Sequence, residues 1–193
     1  NSLTRALCWS AAWDMLRDAE INATDFIDIA LAGLAGEDDI ATVTIIANQL
    51  VTAVEFYSFP SKRDSARLKV GNAFEAMLRE AKAGSDHQLQ FARNFTSFAS
   101  SAEHNDLIKE LLDGKLAGLK VDADLRWTFV IALSERGLMD KEALVSELSK
   151  DNTLTGQLSH ATALAAMPTA EAKAETWKSI TTEVITTSQR EAK

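Results

Sequence analysis

The sequence is dominated by apolar residues at helical spacing, interrupted by short polar segments roughly every 10 to 20 residues. In the clearest example Val43, Ile46, Ala47, Leu50 and Val54 share one face of an amphipathic helix. Prolines are only 2, and the 8 glycines are scattered singly, so few positions interrupt the helical pattern. The sequence therefore predicts an all-α fold of about ten or eleven helices joined by short turns.

Successive pairs of these helices recur at roughly 30 to 40 residues, the spacing of HEAT-like α-solenoids. We therefore predict an α-α superhelix, with a compact irregular bundle as the competing architecture. Residues 125–133 are rich enough in β-branched and aromatic residues to suggest a buried strand. We predict a helix there, because a lone strand has no partner for its backbone groups and Gly137 supplies a helix stop.

The positions of the prolines predict where individual helices begin and end. Pro60 ends the helix that contains Leu50, and the next helix runs from about Ser61 to Ala83. The last predicted helix starts at Pro168 and includes Val184. The first helix carries one narrow polar stripe among apolar residues, so we expect it to be buried on more than one side.

Charge and cysteine content exclude several classes of function. With 28 acidic and 20 basic residues the net charge is −8, which disfavours a phosphate-tracking surface, and we expect no nucleic-acid partner. Cys8 is the single cysteine, so no internal disulfide or thiolate pair exists; we expect it to pack in an apolar helical face. Leader-like and bilayer-length apolar runs do not occur, so the predicted compartment is the cytoplasm, with no membrane partner.

Residues suited to metal or acid–base chemistry are present but not in catalytic patterns. His87, His104 and His160 are far apart, without H-E-x-x-H, and we interpret them as surface or helix-terminal side chains. The acidic clusters 37–39 and 122–124 precede helices, so we assign them to capping rather than to a calcium site. We predict no catalytic, cofactor-binding or metal-binding residue in this chain.

The four tryptophans could either pack in the core or bind a partner at the surface. The four tryptophans each fall within a helical apolar pattern: Trp9, Trp13, Trp127 and Trp177. Large aromatics anchor many interfaces, but this placement favours core packing.

Four segments carry a family resemblance in their order along the chain. They are Leu3–Asp18 (LTRALCWSAAWDMLRD), Asp122–Trp127 (DADLRW), Asp151–Gly156 (DNTLTG), and Pro168–Lys173 (PTAEAK) followed by Trp177. Together they resemble the C-terminal helical domain of bacterial, actinobacterial-type aminopeptidase N, a gluzincin zinc metallopeptidase.

The resemblance implies a superhelical domain that packs on the catalytic part of such an enzyme, encloses its active-site chamber and limits access of peptide substrates. The family's zinc motif H-E-x-x-H and its G-A-M-E-N motif belong to an upstream domain, and neither occurs here. We expect residues 1–193 to be a single helical domain, an excised C-terminal portion of a multidomain aminopeptidase, inactive alone. Its partners are then the other domains of that polypeptide, and zinc is bound in the catalytic domain. The alternative is a free-standing α-solenoid scaffold that binds a partner protein.

Overall fold

The computed structural model describes residues 2–182 and 186–192, and these residues form helices and turns without a strand. The helices are α1 (Ser2–Arg17), α2 (Ala23–Leu34), α3 (Ile40–Thr52), α4 (Pro60–Glu80), α5 (Asp86–Phe98), α6 (Ala102–Leu112), α7 (Ala123–Glu135), α8 (Lys141–Lys150), α9 (Leu154–Ala166), α10 (Ala170–Thr182) and α11 (Thr187–Glu191). A π-helical turn, Ala53–Tyr57, continues α3. The predicted all-α class is confirmed; Val184, predicted in the last helix, lies outside the described residues.

Contacts divide the chain into two compact units. The first contains Asn1–Asn105 with Ala117–Leu119, and the second contains Asp106–Leu116 with Lys120–Lys193. In the first unit α1 packs on α2 and α3, α2 on α3 and α4, and α5 on α3 and α4. In the second, α9 packs on α7, α8, α10 and α11. Each of these principal pairs is one or two helices apart along the chain, the stacking that characterises α-solenoids.

Side-chain caps explain where most helices begin. A side-chain oxygen accepts a hydrogen bond from a first-turn backbone N–H at Asn22, Asp39, Ser85, Asp122, Asp140 and Thr153. The capping role predicted for the two acidic clusters is thus confirmed for Asp39 and Asp122. Pro60 begins α4, and Thr169, next to Pro168, caps α10 through the N–H of Ala172.

Three of the described helix ends use a left-handed residue, one of them Gly114 after α6, where φ is +70° and Lys115 N donates to Glu110 O at 3.0 Å. Gly137 follows α7 with φ +68°, and the next N–H, of Leu138, bonds Leu133 O at 2.9 Å. This confirms the predicted glycine stop. Ala19 does the same after α1 with φ 61°, and Glu20 N donates to Met15 O at 2.8 Å. A non-glycine residue in this region carries a steric penalty.

Aromatic packing builds the core of the first unit. Phe74 stacks on Phe98 with ring centroids 5.3 Å apart and meets Phe91 edge-on at 6.1 Å. The apolar face of α3 is buried here, and its continuation makes Ile40–Tyr57 apolar enough, by length and composition alone, to cross a bilayer. Burial of residues such as Val43 and Leu50 accounts for part of that composition, since 39% of the segment is buried.

The core of the second unit is centred on α7. Trp127 and Val130 pack with Leu144 and Ala163, and partly buried apolar side chains surround them. Residues 125–133, which resembled a buried strand, are helical as predicted. Their apolar richness, interrupted by Arg126 and Thr128, reflects a helix that is covered on several sides.

The predicted burial of α1 is wrong. Of the α1 residues whose exposure the structure describes, Leu16 alone is buried, while Leu3 and Leu7 are 66% and 63% exposed. Cys8, predicted to pack, is exposed. Only one side of α1 packs on α2 and α3. An apolar sequence pattern indicates a face that can be buried, but it does not identify the surface that buries it.

Candidate functional site

A buried carboxylate, Glu37, joins α1 to the loop between α2 and α3. Its side chain is 1% exposed. Arg5 donates to it through Nε to Oε2 at 3.1 Å and through Nη2 to Oε1 at 2.9 Å. Trp9 Nε1 donates to Oε2 at 3.4 Å, and the backbone N–H groups of Asp38 and Asp39 reach Oε1 at 3.1 and 3.2 Å. The carboxylate is therefore saturated with donors from its own chain.

These donors also set the charge state of Glu37. The hydrogen bond from Arg5 is the largest cause that lowers the Glu37 pKa from 4.5 to about 2, against the opposing effect of burial. Such a carboxylate stays ionised and has no free lone pair aimed at a ligand, so it is suited neither to general-base catalysis nor to metal binding. Its role is structural: it fixes α1 to the loop between α2 and α3.

His104 lies in the first turn of α6, which agrees with the predicted helix-terminal position, but it is buried rather than at the surface. The residue is 1% exposed, with its ring edge-on to Phe95 at 5.1 Å. Ser100 N donates to Nδ1 at 3.2 Å, so Nε2 carries the proton and donates to Asn72 Oδ1 at 2.9 Å. A Cβ at Gly71 would lie 2.6 Å from His104 Cε1, so the ring needs that glycine. No local sequence pattern identifies the distant Asn72 as its partner.

The other two histidines lie in different surroundings. His87 Nε2 lies 2.9 Å from the backbone oxygen of Glu37. His160 packs edge-on to Trp127 with centroids 6.5 Å apart, and burial lowers the pKa of His160. Among the described residues, no group of three or more His, Cys, Asp or Glu side chains is placed to hold a metal ion.

The tryptophans divide between core and surface. Trp127 is buried as predicted and donates from Nε1 to Asp151 Oδ2 at 3.0 Å. Trp9 and Trp13 are half-buried, and Trp13 packs on Phe26 with ring centroids 5.5 Å apart. Trp177 is 67% exposed, so core packing is wrong for that residue. Helical periodicity assigns a face but not the neighbour that covers it.

A groove of about 800 Å³ opens on the first unit. Its walls are the turn between α1 and α2, the end of the π-helical turn with the loop after it, and the first half of α4. Lining residues include Leu16, Ala19, Glu20, Ile21, Asn22, Asp25, Ile27, Tyr57, Phe59, Lys62, Ala66 and Lys69. This groove is not predictable from the sequence pattern, because its walls come from segments far apart in sequence.

Unusual backbone surrounds the groove. Ala19 is left-handed, and Ser58 N donates to Ala53 O at 2.9 Å, closing the wider π-turn. π-turns occur frequently at functional sites. Phe56 and Phe59, four residues and one residue before Pro60, are 79% and 71% exposed. Phe59 lines the groove.

The groove's chemistry fits contact with a polypeptide rather than catalysis. Glu20 and Asp25 lie on one wall and Lys62 on the other, with apolar surface from Ile21 and Phe59. Such a mixture of apolar lining and opposite charges suits side chains of a bound protein segment.

In the second unit a guanidinium joins three helices. Arg126 of α7 donates from Nε to Glu147 Oε2 at 2.5 Å and from Nη2 to Glu147 Oε1 at 2.8 Å. Nη1 donates to Leu112 O, at the end of α6, at 3.1 Å. The hydrogen bond from Arg126 is the largest cause that lowers the pKa of Glu147. Arg126 therefore connects α6, α7 and α8 through its hydrogen bonds, and it is not a free cation.

Two comparisons place the chain among known proteins. Residues 1–192 match the family described as the ERAP1-like C-terminal domain. Aminopeptidase N of Streptomyces lividans is 43% identical over 182 residues, which are 93% of this chain and 21% of that protein. The chain thus spans about a fifth of the length of this relative.

Proposed function

The chain belongs to the ERAP1-like C-terminal domain family, and on that premise we propose that it is the non-catalytic C-terminal domain of a zinc aminopeptidase. In this role it encloses the active-site chamber of the longer enzyme and limits access to peptide substrates. The observation that carries the proposal is the 43% identity to aminopeptidase N across 93% of the chain. The predicted resemblance to this family is confirmed.

The described side chains support a structural contribution. Glu37 and His104, the most deeply buried ionisable side chains considered above, are held by donors and acceptors of their own chain. In the proposed enzyme the zinc belongs to another domain, where it supplies Lewis-acid activation of water. This chain supplies a wall that admits extended peptides and excludes folded proteins. The cytoplasm is the proposed compartment, which is compatible with the exposed thiol of Cys8.

The proposal is tested with the longer polypeptide and with the 193-residue chain alone. We expect the longer polypeptide to bind zinc stoichiometrically and to cleave aminoacyl reporter substrates, and the chain alone to do neither. Turnover by the isolated chain in added zinc would contradict its non-catalytic role.

Enclosure needs a separate measurement. The longer polypeptide is given one N-terminal sequence either as a free peptide or fused to a folded protein. We expect it to trim the free peptide and to leave the fusion intact. Equal trimming of both substrates would contradict a wall that limits access.

The groove on the first unit favours one alternative, a free-standing α-solenoid scaffold whose partner is a protein. The reading frame around this chain separates the two hypotheses. An H-E-x-x-H motif several hundred residues upstream supports the peptidase domain, and a start codon directly before Asn1 supports the scaffold.

A further inference from the structure

One face of α1 carries a continuous row of exposed apolar side chains. Leu3, Leu7 and Met15 are 66%, 63% and 39% exposed, and Cys8 and Ala11 between them are also exposed. At about 100° per residue these five positions fall within an arc of about 140°, which also contains the exposed Thr4 and Asp14. We call this row the α1 stripe.

The opposite face of the helix is fixed to the first unit. Arg5 and Trp9 both donate to the buried Glu37, and Leu16 is buried. Gly33 of α2 lies so close that a Cβ there would be 2.3 Å from the Trp9 ring. These contacts hold α1 in one orientation, so the α1 stripe is presented as a preformed surface rather than a mobile segment.

We propose that the α1 stripe is the surface on which another domain of the same polypeptide docks. This inference rests on the proposed function, since it requires the chain to be part of a longer enzyme. It adds to that function the face through which the domain is attached.

The size of the stripe favours a tethered partner over a second copy of the chain. Three partly exposed large side chains and two small ones offer roughly a few hundred Å², below the approximately 800 Å² per partner of a standard interface between separate proteins. A domain in the same chain meets the stripe at an effective concentration of about millimolar, so a smaller contact suffices. In the Streptomyces relative roughly four-fifths of the protein lies outside the matched segment, which leaves ample chain to supply such a domain.

Cys8 provides a direct probe, because it lies in the stripe and is the single cysteine of this chain. Its alkylation rate is measured by mass spectrometry of the tryptic peptide Ala6–Arg17, in the 193-residue chain and in the longer polypeptide. We expect alkylation to be at least tenfold slower in the longer polypeptide. The matched control is Ser149→Cys in a Cys8→Ser background, which places a thiol at an exposed position of α8; we expect its rates in the two proteins to agree within about twofold.

A charged substitution tests the stripe itself. In the longer polypeptide Leu7→Asp is expected to restore fast alkylation of Cys8, whereas Leu154→Asp, at a leucine that is 73% exposed on α9, leaves it slow. Equal Cys8 rates in the short and long proteins would overturn the proposal. Concentration-dependent protection of Cys8 in the 193-residue chain would also overturn it, since the occupant would then be a second copy.

Aminopeptidase activity of the same samples separates this inference from the proposed function. An active polypeptide with a fully reactive Cys8 contradicts the docking surface and leaves the proposed function standing. An inactive polypeptide with a protected Cys8 contradicts the function but retains the interdomain contact.

Discussion

At the scale of single residues, Glu37 illustrates how a carboxylate at a helix-flanking position acquires a purely structural role. Of the two acidic residues that follow it, Asp39 caps α3 as the local pattern predicts, whereas Asp38 pairs with Arg5 of α1. Glu37 instead receives donors from α1, more than 25 positions earlier in the chain. The charge of Glu37 therefore connects two segments that local sequence rules treat separately.

Removal of that charge is expected to weaken the first unit in a pH-dependent way. Glu37→Gln keeps the side-chain shape but turns charge-assisted hydrogen bonds into neutral ones, so the free energy of unfolding at pH 7 falls by about 1–3 kcal/mol. The folded pKa of about 2 lies below the ordinary 4.5, so the contribution is complete above about pH 5 and is lost as the pH falls toward 2. Urea denaturation at pH 7 and at pH 3 measures the difference.

Asp38→Asn is the control for Glu37→Gln, because Asp38 pairs with the same Arg5 but is 81% exposed. We expect a change below about 0.5 kcal/mol. A loss for Glu37→Gln that is equal at both pH values would show that shape rather than charge is responsible.

Ala19 offers a stabilising change. Its φ of 61° is adopted by glycine without a Cβ penalty, so Ala19→Gly is expected to raise the free energy of unfolding by about 1 kcal/mol. Thermal and urea denaturation measure it. Ala35→Gly at the end of α2, where φ is −61°, has no such strain to relieve and should be neutral or destabilising. Stabilisation by both substitutions, or by neither, would contradict strain at Ala19.

At the scale of helices, the sequence predicts burial correctly where the helix is covered by other helices of its own unit. The segment 125–133 shows why: an acidic cap, an apolar run and Gly137 are local signals, and all three lie within α7 and its ends. The burial of α1 was predicted wrongly, because burial depends on a second surface that periodicity does not identify. The burial of His104 was missed for the same reason, since its partner Asn72 belongs to α4.

The fork made by Arg126 predicts a difference between arginine and lysine. Arg126→Lys keeps the charge but loses the two-pronged contact with Glu147 and the bond to Leu112 O, so we expect a loss of about 1–2 kcal/mol in stability. Arg79→Lys is the matched control, because Arg79 is half-exposed and pairs with Glu75 one turn away; its cost should stay below about 0.5 kcal/mol. Equal costs in chemical denaturation would contradict the fork.

At the scale of the whole molecule, the excess of acids governs behaviour in solution. With a net charge of −8 at pH 7 and a calculated isoelectric point near 4.9, self-repulsion is strong at neutral pH and vanishes in mild acid. We expect the solubility of the chain to pass through a minimum near pH 5. Turbidity between pH 4 and pH 8 measures it, and a minimum near pH 7 would contradict this expectation.

The π-helical turn Ala53–Tyr57 bears on how the sequence evolved. The i to i−5 bond from Ser58 N to Ala53 O encloses one residue more than an α-turn. A single-codon insertion is absorbed there as a local bulge, while α3 and α4 keep their buried faces. Relatives without the bulge are expected to be one residue shorter between positions 52 and 58, so a one-residue gap in an alignment at this point marks the insertion.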